Sequence, residues 1–508
     1  MTALDLSSPV AVVGTGTMGR GIAQVALVAG HPVRLYDAVP GRAREAADAI
    51  GARLDRLVAK ERLSAADRDA ARARLLPADD LADLADCALV VEAVLERLDV
   101  KQELFTALEG IVSDDCLLAT NTSSLSVTAV GGALRVPGRF VGLHFFNPAP
   151  LLPLVEVVSG FATDPACAER AHETARAWGK TPVACADTPG FIVNRIARPF
   201  YAEAFAVYEE RGADPATVDA VLRGSGGFRM GAFELTDLIG QDVNESVTRS
   251  VWESFFGDVR FTPSLAQRRL VESGRLGRKS GRGWYDHRDD APHPEPHTAA
   301  PEPAPAHVVV DGDLGPASEL LDLIRGAGIE VRAGAGAAAG GGRGLVLPGG
   351  GRLALADGRT SVELGDTVHF DLALDYRTAT RIALSACRDT TPARTVAEAT
   401  GLFQALGKQV SVIGDVPGMI VARTVARIID LAYDAAAREV ATEEDIDTAM
   451  RLGVNYPLGP FEWSRRLGHD WARALLATLH ERDPSGRYAP SSALRRHAHA
   501  TEKRESTP

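Results

Sequence analysis

The stretch DTPGFIVNR at residues 187–195 returns at 415–423 as DVPGMIVAR, and more of the chain returns with it. Gly179-Lys180 matches Gly407-Lys408, Asp187 matches Asp415, Asp219 matches Asp447, and GAFE at 231–234 matches GPFE at 459–462, each pair 228 positions apart. A constant offset without gaps over that length marks an internal duplication, and the segments around each copy carry helical patterns. The chain must therefore house two copies of one helical domain. Its 508 residues exceed what a single hydrophobic core serves, so three or four domains are expected.

A second feature divides the sequence. RDDAPHPEPHTAAPEPAPAH, residues 288–307, has Pro, Ala and acidic residues in place of any apolar periodicity, which predicts an extended linker between two halves. Before it, short β-branched runs (VAVVG, VRLYD, ALVVEAV, RFVGLHFF) alternate with Ala- and Arg-rich helical segments, the order of a parallel sheet wound with helices. From Pro189 to about Leu276 helical patterns take over. The second half repeats the order: VVVDGDLGP and a helical stretch, the Gly/Ala-rich AGAGAAAGGGRG at 333–344 that reads as a flexible loop, weak strand and helix alternation to about Gly401, then helices.

With 45% hydrophobic and 24% charged residues the composition is that of a packed globular protein. A formal net charge of −12 argues against a broad nucleic-acid footprint while leaving room for a local basic pocket. No basic segment followed by an apolar run opens the sequence and no stretch approaches the roughly 18 apolar residues of a membrane span, so the expected location is cytoplasmic. Cys87, Cys116, Cys167, Cys185 and Cys387 are scattered without CxxC spacing. They suggest neither a disulfide framework nor a metal site.

VAVVGTGTMGRGIAQVALVAG reads as a strand, a glycine turn and a helix. Gly14, Gly16 and Gly19 allow a tight turn and close approach of backbone to a pyrophosphate, which the first N–H groups of the helix, opening at Thr17 and Met18, would bind. Asp37 ends the second strand eighteen residues after Gly19, where it can accept both adenosine ribose hydroxyls and repel a 2′-phosphate. NAD is favoured over NADP, with Arg34 the one nearby group that could accept such a phosphate.

Three stretches bring polar residues into apolar surroundings: LLATNTSSL at 117–125, RFVGLHFFNPAPLLPLVEVV at 139–158, and DTPGFIVNR. His144 closes one strand-like run and Glu156 sits in the next, a spacing that can return a carboxylate to the back of the imidazole. Such a pair beside a nicotinamide suits alcohol oxidation; a hydrogen-bonded core histidine fits the spacing equally well. Asn194 lies in the first turns of a helix predicted to start with Thr188 as N-cap and Pro189 at its first position. Its amide can donate to a substrate carbonyl or serve the fold alone. Ser123 and Ser124 either bond a ligand hydroxyl or cap a helix.

GTGTMG, VVEAVLERLDVK, NTSSL, HFFNP, LVEV, DTPGFIVNR and GRLGRKSGRGWYD, in that order, resemble the L-3-hydroxyacyl-CoA dehydrogenase family over essentially all of residues 8–287. The resemblance implies that His144 is the general base, Glu156 its partner, Asn194 a holder of catalytic geometry, and Ser123 a contact to substrate and cofactor. It further implies NAD contacts at Asp37, Glu96, Lys101, Asn147 and Lys279, and a CoA contact from the helical hairpin near Lys60, where a solvated face is the other account. GGFRMGAFELTDLIGQDVN and RFTPSLAQRRLVESGRLGRKSGRGWYD, with the duplicated C-terminal half, are similar to the members acting on 3-hydroxyadipyl-CoA in bacterial phenylacetate degradation and on 3-hydroxybutyryl-CoA. Ala232 departs from the Pro common there.

The domains so implied are an NAD-binding α/β Rossmann domain over 8–186, an all-α C-terminal domain over 187–287, a Pro/Ala-rich linker over 288–306, a degenerate Rossmann-like segment over 307–400, a second, non-catalytic helical domain over 401–490, and a disordered tail over 491–508. The second half has no GxGxxG, HFFNP or LVEV, and Ala422 stands where Asn194 stands in the first. Family members pair their helical domains in dimers, so residues 401–470 are expected to pack on residues 185–255, as an intramolecular pseudo-dimer or alongside a homo-oligomer. The expected substrate is an acyl-CoA. Two other functions fit parts of the sequence: a dehydrogenase of a free hydroxy acid or sugar acid, and an inactive dinucleotide-binding structural protein. Arg195, Arg198 and Arg229 are open as partners for a distal carboxylate.

Overall fold

The computed structural model describes residues 2–334 and 344–505. The first sheet has eight strands: β1 (Val10–Val13), β2 (Val33–Tyr36), β3 (Leu75–Pro77), β4 (Leu89–Glu92), β5 (Leu117–Thr120), β6 (Phe140–Phe145), β7 (Leu154–Ser159) and β8 (Thr181–Ala186), in the order β3-β2-β1-β4-β5-β6-β7-β8. All neighbours are parallel except β6 and β7. β1, β4 and β5 are buried at every position, as strands covered on both faces must be. Ile22 and Ala26 of the Thr17–Ala29 helix and Ile50 and Leu54 of the Arg42–Ala59 helix meet Val12, Leu35 and Val91 in this core.

The second sheet has seven strands: β9 (His307–Asp311), β10 (Glu330–Ala333), β11 (Gly344–Val346), β12 (Arg352–Leu355), β13 (Thr367–Phe370), β14 (Arg381–Ser385) and β15 (Gln409–Ile413), ordered β10-β9-β11-β12-β13-β14-β15. Here β11 runs antiparallel to both neighbours, β9 and β12. β13 and β14 reproduce the antiparallel reversal of β6 and β7, and β15 pairs parallel with β14 as β8 does with β7. Most of the expected loop at 333–344 lies outside the described residues. Its ends are strand residues, Ala333 in β10 and Gly344 in β11.

The chain divides into two compact units, and the Pro/Ala-rich linker is not their boundary. One unit is Met1–Arg195 with Arg438–Val454, the other Ile196–Ala437 with Asn455–Pro508. In the first unit the Glu443–Gly453 helix, from the second helical copy, lies on β7 and β8. The Ala186 N–H donates to the Val440 carbonyl at 2.8 Å, and a Cβ on Gly453 would come within 2.7 Å of Leu154. In the second unit the Pro215–Gly224 helix, from the first copy, lies on β14, and the Gly414 N–H donates to the Gly212 carbonyl at 2.8 Å. Ala186 and Gly414 are 228 positions apart, as are Gly212 and Val440. The same bond is made twice with the copies exchanged.

Within the second unit the Arg198–Glu209 helix packs on its counterpart, the Val421–Ala437 helix. Every residue from Val421 to Ala435 is buried, so the charges on that helix need partners. Glu203, fully buried, receives Arg423 at 3.2 Å, Arg427 at 3.7 Å, Arg487 at 3.0 Å and the Tyr488 hydroxyl at 3.0 Å. Burial opposes ionisation of its carboxyl, but the three guanidinium groups outweigh burial and hold it below the usual glutamate value. Arg423, retained from the phrase written twice, is a packing residue here.

Two sequence expectations change, and the extended linker gains fixed attachments. The 400/401 boundary cuts the Ala393–Ala405 helix, because the sheet continues to β15. The linker over 288–306 is extended but tied down: the Ala299 N–H donates to Val410, Gln404 bonds the backbone of Ala300 and Glu302, and the His297 carbonyl accepts from Arg381 and Ser411. The tail is not disordered over its length, since a helix runs from Ser492 to Glu505. Leu494 and Ala498, four apart, are buried by it, and the Ser491 N–H donates to Asp430 at 2.7 Å.

Glu203→Ala leaves the buried Arg423 and Arg427 and the partly buried Arg487 without this carboxylate and is expected to cost about 3–5 kcal/mol. The stabilisation is present above the ordinary glutamate pKa and is lost as pH falls through the depressed one. Urea unfolding followed by tryptophan fluorescence checks this, and an unchanged midpoint at neutral pH would refute it.

Candidate active site

β1 delivers the chain to Gly14, whose φ of +96° and whose approach to Ala93 exclude a side chain; a Cβ there would lie 2.5 Å from the Ala93 carbonyl oxygen. A Cβ on Gly19 would strike the Gly14 carbonyl oxygen at 1.8 Å, so this glycine sets how closely helix and turn pack. A Cβ on Gly16 would meet nothing within 4 Å. Gly16 is also the N-cap of the Thr17–Ala29 helix, with no side-chain cap and no acidic residue in the first turn. Unfilled space thus faces uncapped N–H groups and the positive end of a helix dipole, a fit for a pyrophosphate. Thr17 is exposed and Met18 packs on the sheet core.

Asp37 accepts the Thr15 N–H and hydroxyl through Oδ2, at 3.0 and 2.6 Å, and the Val39 N–H through Oδ1. Burial works against its charge, but these donors prevail and keep the carboxyl below its usual value. Arg34 is taken by Asp86, with contacts of 2.8 and 2.6 Å. An ionised Asp37 with the neighbouring arginine engaged favours ribose hydroxyls over a phosphate.

Beyond β4, Glu96 gathers the NTSSL loop. Its carboxylate accepts the Ser123 N–H at 3.1 Å, the Ser124 hydroxyl at 2.9 Å and the Thr122 hydroxyl at 2.5 Å. Burial is again outweighed, first by Lys101 and then by Thr122 and Ser124, and the carboxyl is held low. Lys101 is buried between Glu92 at 2.5 Å and Glu96 at 3.2 Å. Glu92, which the sequence did not single out, also accepts the Thr120 hydroxyl and the Val94 N–H. Its place at the end of an all-apolar strand was the available signal.

His144 and Glu156 are directly paired residues of the antiparallel strands β6 and β7. The His144 Nδ1 lies 2.6 Å from Glu156 Oε2, with Glu156 fully buried and His144 nearly so. The Phe146 and Phe191 rings stand 4.4 and 5.7 Å from the imidazole. The other carboxylate oxygen accepts the N–H groups of Ile192 at 3.1 Å and Val193 at 2.9 Å. This corrects the expected Thr188 cap. Gly190 and Phe191, with φ of +76° and +49°, carry the chain through a turn, the helix begins at Val193, and the buried Thr188 hydroxyl has no hydrogen bond. Glu156 is the cap.

Asn194, in this helix, donates to the Ser123 carbonyl at 3.4 Å, joining the two polar stretches around the dyad. Asn147 is exposed in the turn after β6. Lys60 is exposed at the end of the Arg42–Ala59 helix, which forms a hairpin with the Ala65–Ala73 helix. Lys279, in the second unit, pairs with Asp242 at 2.6 Å. Burial pushes the thiols of Cys87, Cys116 and Cys167 up to about 12, and that of Cys185 well above its usual value. Among the described residues no His/Cys/Asp/Glu group could hold a metal, and no helix is long and apolar enough to cross a membrane.

The second sheet shows what happens without the chemistry. Leu143 pairs with Val157 and Phe370 with Leu384, and Ala184 and Val412, 228 apart, pair with Val157 and Leu384. Asp371 therefore occupies the position of His144, and Ala383 that of Glu156. The Asp371 carboxylate accepts the N–H groups of Ile420, Val421 and Ala422, counterparts of Ile192, Val193 and Asn194. The cap survives and the dyad does not. A cavity of about 790 Å³ lies at the carboxyl ends of β9 and β12, lined by Asp313, Asp357, Arg359, Trp471 and Arg482 among others, with Arg359 paired to Asp357 and Arg482 to Glu363.

Residues 9–188 match the 3-hydroxyacyl-CoA dehydrogenase NAD binding domain, and residues 190–287 and 418–508 the 3-hydroxyacyl-CoA dehydrogenase C-terminal domain. Residues 353–417 match the 3-hydroxybutyryl-CoA dehydrogenase reduced Rossmann-fold domain. A 3-hydroxyadipyl-CoA dehydrogenase of Escherichia coli (strain K12) is 42% identical over 492 residues, covering 96% of this chain and 97% of its own. A 3-hydroxybutyryl-CoA dehydrogenase of Bradyrhizobium diazoefficiens is 38% identical over 285 residues, 56% of this chain and 97% of its own. The crystal structure of a 3-hydroxybutyryl-CoA dehydrogenase from Escherichia coli K12 superposes with a TM-score of 0.88 at 41% identity, over 99% of this chain and all of that one. The chain belongs to the 3-hydroxyacyl-CoA dehydrogenase family, NAD-dependent oxidoreductases.

Proposed function

We propose that the protein oxidises a (3S)-3-hydroxyacyl-CoA with a short dicarboxylic acyl chain, 3-hydroxyadipyl-CoA, to the 3-oxoacyl-CoA in phenylacetate degradation in the cytoplasm, with 3-hydroxybutyryl-CoA as the simpler relative. The hydrogen-bonded His144–Glu156 pair carries the reaction class. The whole-length likeness to a 3-hydroxyadipyl-CoA dehydrogenase supports the chain type. When bound, NAD accepts the hydride from C3. Gly14, Gly16, Thr17, Met18 and Gly19 would hold its pyrophosphate and Asp37 its adenosine ribose. Glu96, Ser123, Asn147 and Lys279 would serve its remaining length, with Lys101 acting through Glu96. Lys60 would reach the CoA.

A carboxylate only accepts, so Glu156 fixes the ring proton on Nδ1 and leaves the Nε2 lone pair to take the C3 hydroxyl proton. The positive charge then formed lies 2.6 Å from a carboxylate that two backbone N–H groups hold in place. Phe146 and Phe191 shield the ring from water. Asn194 and Ser123, already linked, would set the hydroxyl and thioester carbonyl.

A kcat/KM series over short, long and ω-carboxylated 3-hydroxyacyl-CoAs should peak at the six-carbon dicarboxylate; a flat series rejects the dicarboxylic assignment. His144→Gln should lower kcat by about 10²- to 10⁴-fold while NADH affinity, read by fluorescence titration, stays unchanged. Near-normal turnover in that variant would remove His144 as base. Glu156→Gln keeps an acceptor for Ile192 and Val193 and should lose rate with little loss of stability. Glu156→Ala uncaps the helix and should lose a further ~1–3 kcal/mol of stability; equal melting of the two variants would contradict the double role.

A further inference from the structure

Lys101 is 1% exposed and answers two carboxylates, Glu92 at 2.5 Å and Glu96 at 3.2 Å. Glu92 is fully buried, and its other donors are neutral: the Val94 N–H on Oε1 and the Thr120 hydroxyl on Oε2. The donors that Glu96 gathers from Thr122, Ser123 and Ser124 are neutral as well. Among the described residues no other cation pairs with either acid, and the nearby Arg97 is held by Asp99. The cluster therefore carries two negative charges against one positive. One carboxylate suffices to pair the buried ammonium; a second brings an uncompensated charge into a poorly solvated place, at a cost in stability.

That excess charge sits at the cofactor crevice. The strand order reverses between β1 and β4, and the carboxyl ends of two such strands border a bound dinucleotide. Gly14, in the turn after β1, packs on Ala93, the residue after Glu92. Asn121 stands between Thr120, bonded to Glu92, and Thr122, bonded to Glu96, and its Oδ1 accepts the N–H of Phe145, the neighbour of His144, at 2.9 Å. The cluster is thus continuous with both the glycine turn and the strand of the imidazole, and all these residues belong to one compact unit. Hydride leaves the carbon whose hydroxyl proton goes to His144, so nicotinamide and imidazole have to face one carbon atom. The ring then lies in the field of the cluster. Oxidised nicotinamide carries a positive charge there and reduced nicotinamide none.

We propose that Glu92 biases the cofactor site toward oxidised NAD over NADH, by giving the Glu92–Lys101–Glu96 cluster its net negative charge. Being fully buried, Glu92 touches neither substrate nor cofactor and acts through its field. The inference rests on the reaction proposed above for His144. A site so charged favours uptake of the oxidised cofactor and release of the reduced one, which suits turnover toward the 3-oxoacyl-CoA.

The test is the ratio of Kd for NAD to Kd for NADH at fixed pH and ionic strength, read by fluorescence titration of NADH and its displacement by NAD. A loosened site weakens both forms alike and cancels in the ratio, whereas a change of charge does not. Removing one unit charge is expected to change the ratio on the order of 10-fold. Glu92→Gln, which keeps the shape and an acceptor, raises it; Lys101→Met, which removes the positive charge, lowers it. A ratio in Glu92→Gln equal to that of the wild type overturns the inference. Should that variant fail to fold, an unchanged or raised ratio in Lys101→Met overturns it as well. Near-normal turnover in His144→Gln would instead reject the reaction, and with it the place given to the ring.

Discussion

The Glu156 carboxylate is the interaction on which the catalytic half depends, because its two oxygens are committed to different tasks. One oxygen holds the His144 imidazole; the other terminates a helix by accepting the N–H groups of Ile192 and Val193. Chain connectivity alone would not align β6, β7 and the turn at Gly190 to within hydrogen-bonding tolerance. A buried carboxylate with donors on both sides does, since leaving any of those donors unsatisfied is costly. The imidazole is thus oriented by the same group that fixes where the helix bearing Asn194 begins. In the second sheet the helix still needs an acceptor, and Asp371 supplies one from the neighbouring strand position. The helix start is the conserved requirement of the frame, and the imidazole is an addition to it.

The second constraint is the exchange of equivalent helices between the two sheets. Glu443–Gly453 closes against β7 and β8, and Pro215–Gly224 against β14, each tied by one backbone hydrogen bond at the corresponding position. A sheet edge left open would expose unpaired backbone groups and an apolar face. Each half therefore completes its sheet with an element of the other, as two subunits would in a dimer with swapped helices. Joining the copies in one chain lets one of them shed the dyad without losing the closure. The buried Glu203 cluster is the matching device between the long helices, placing three cations around one anion where apolar packing alone would not define register.

Much of the fold and of the site was legible in the sequence, for reasons that also mark where legibility ended. VAVVGTGTMG carries its structure locally: β-branched strand, glycines at fixed offsets and helix lie within one turn of each other. HFFNP and LVEV needed only the register of adjacent strands to bring His144 onto Glu156. Thr188 misled because its sequence position suits an N-cap, whereas the acceptor used comes from Glu156, on a strand far back in the chain. The tail read as disordered because Leu494 and Ala498 are its buried apolar side chains among the described residues, too short a pattern to see without the helix that receives them. The linker read only as extended because most of its ties run through its backbone, to Val410 and Gln404, which composition does not reveal. The exchange of helices has no local signature, since Ala186 and Val440 meet across half the length of the chain.

The two copies also separate what a fold retains from what chemistry retains. Polar residues persist in the second copy where they answer backbone donors or buried charges, as Arg423 does on Glu203 and Glu462 on the Gly459 N–H, and Asp371 takes over the helix start. They are absent around the position of the dyad, where Ala422 stands for Asn194 and Ala383 for Glu156. A buried polar side chain is costly enough that drift toward an apolar residue follows once its partner is gone.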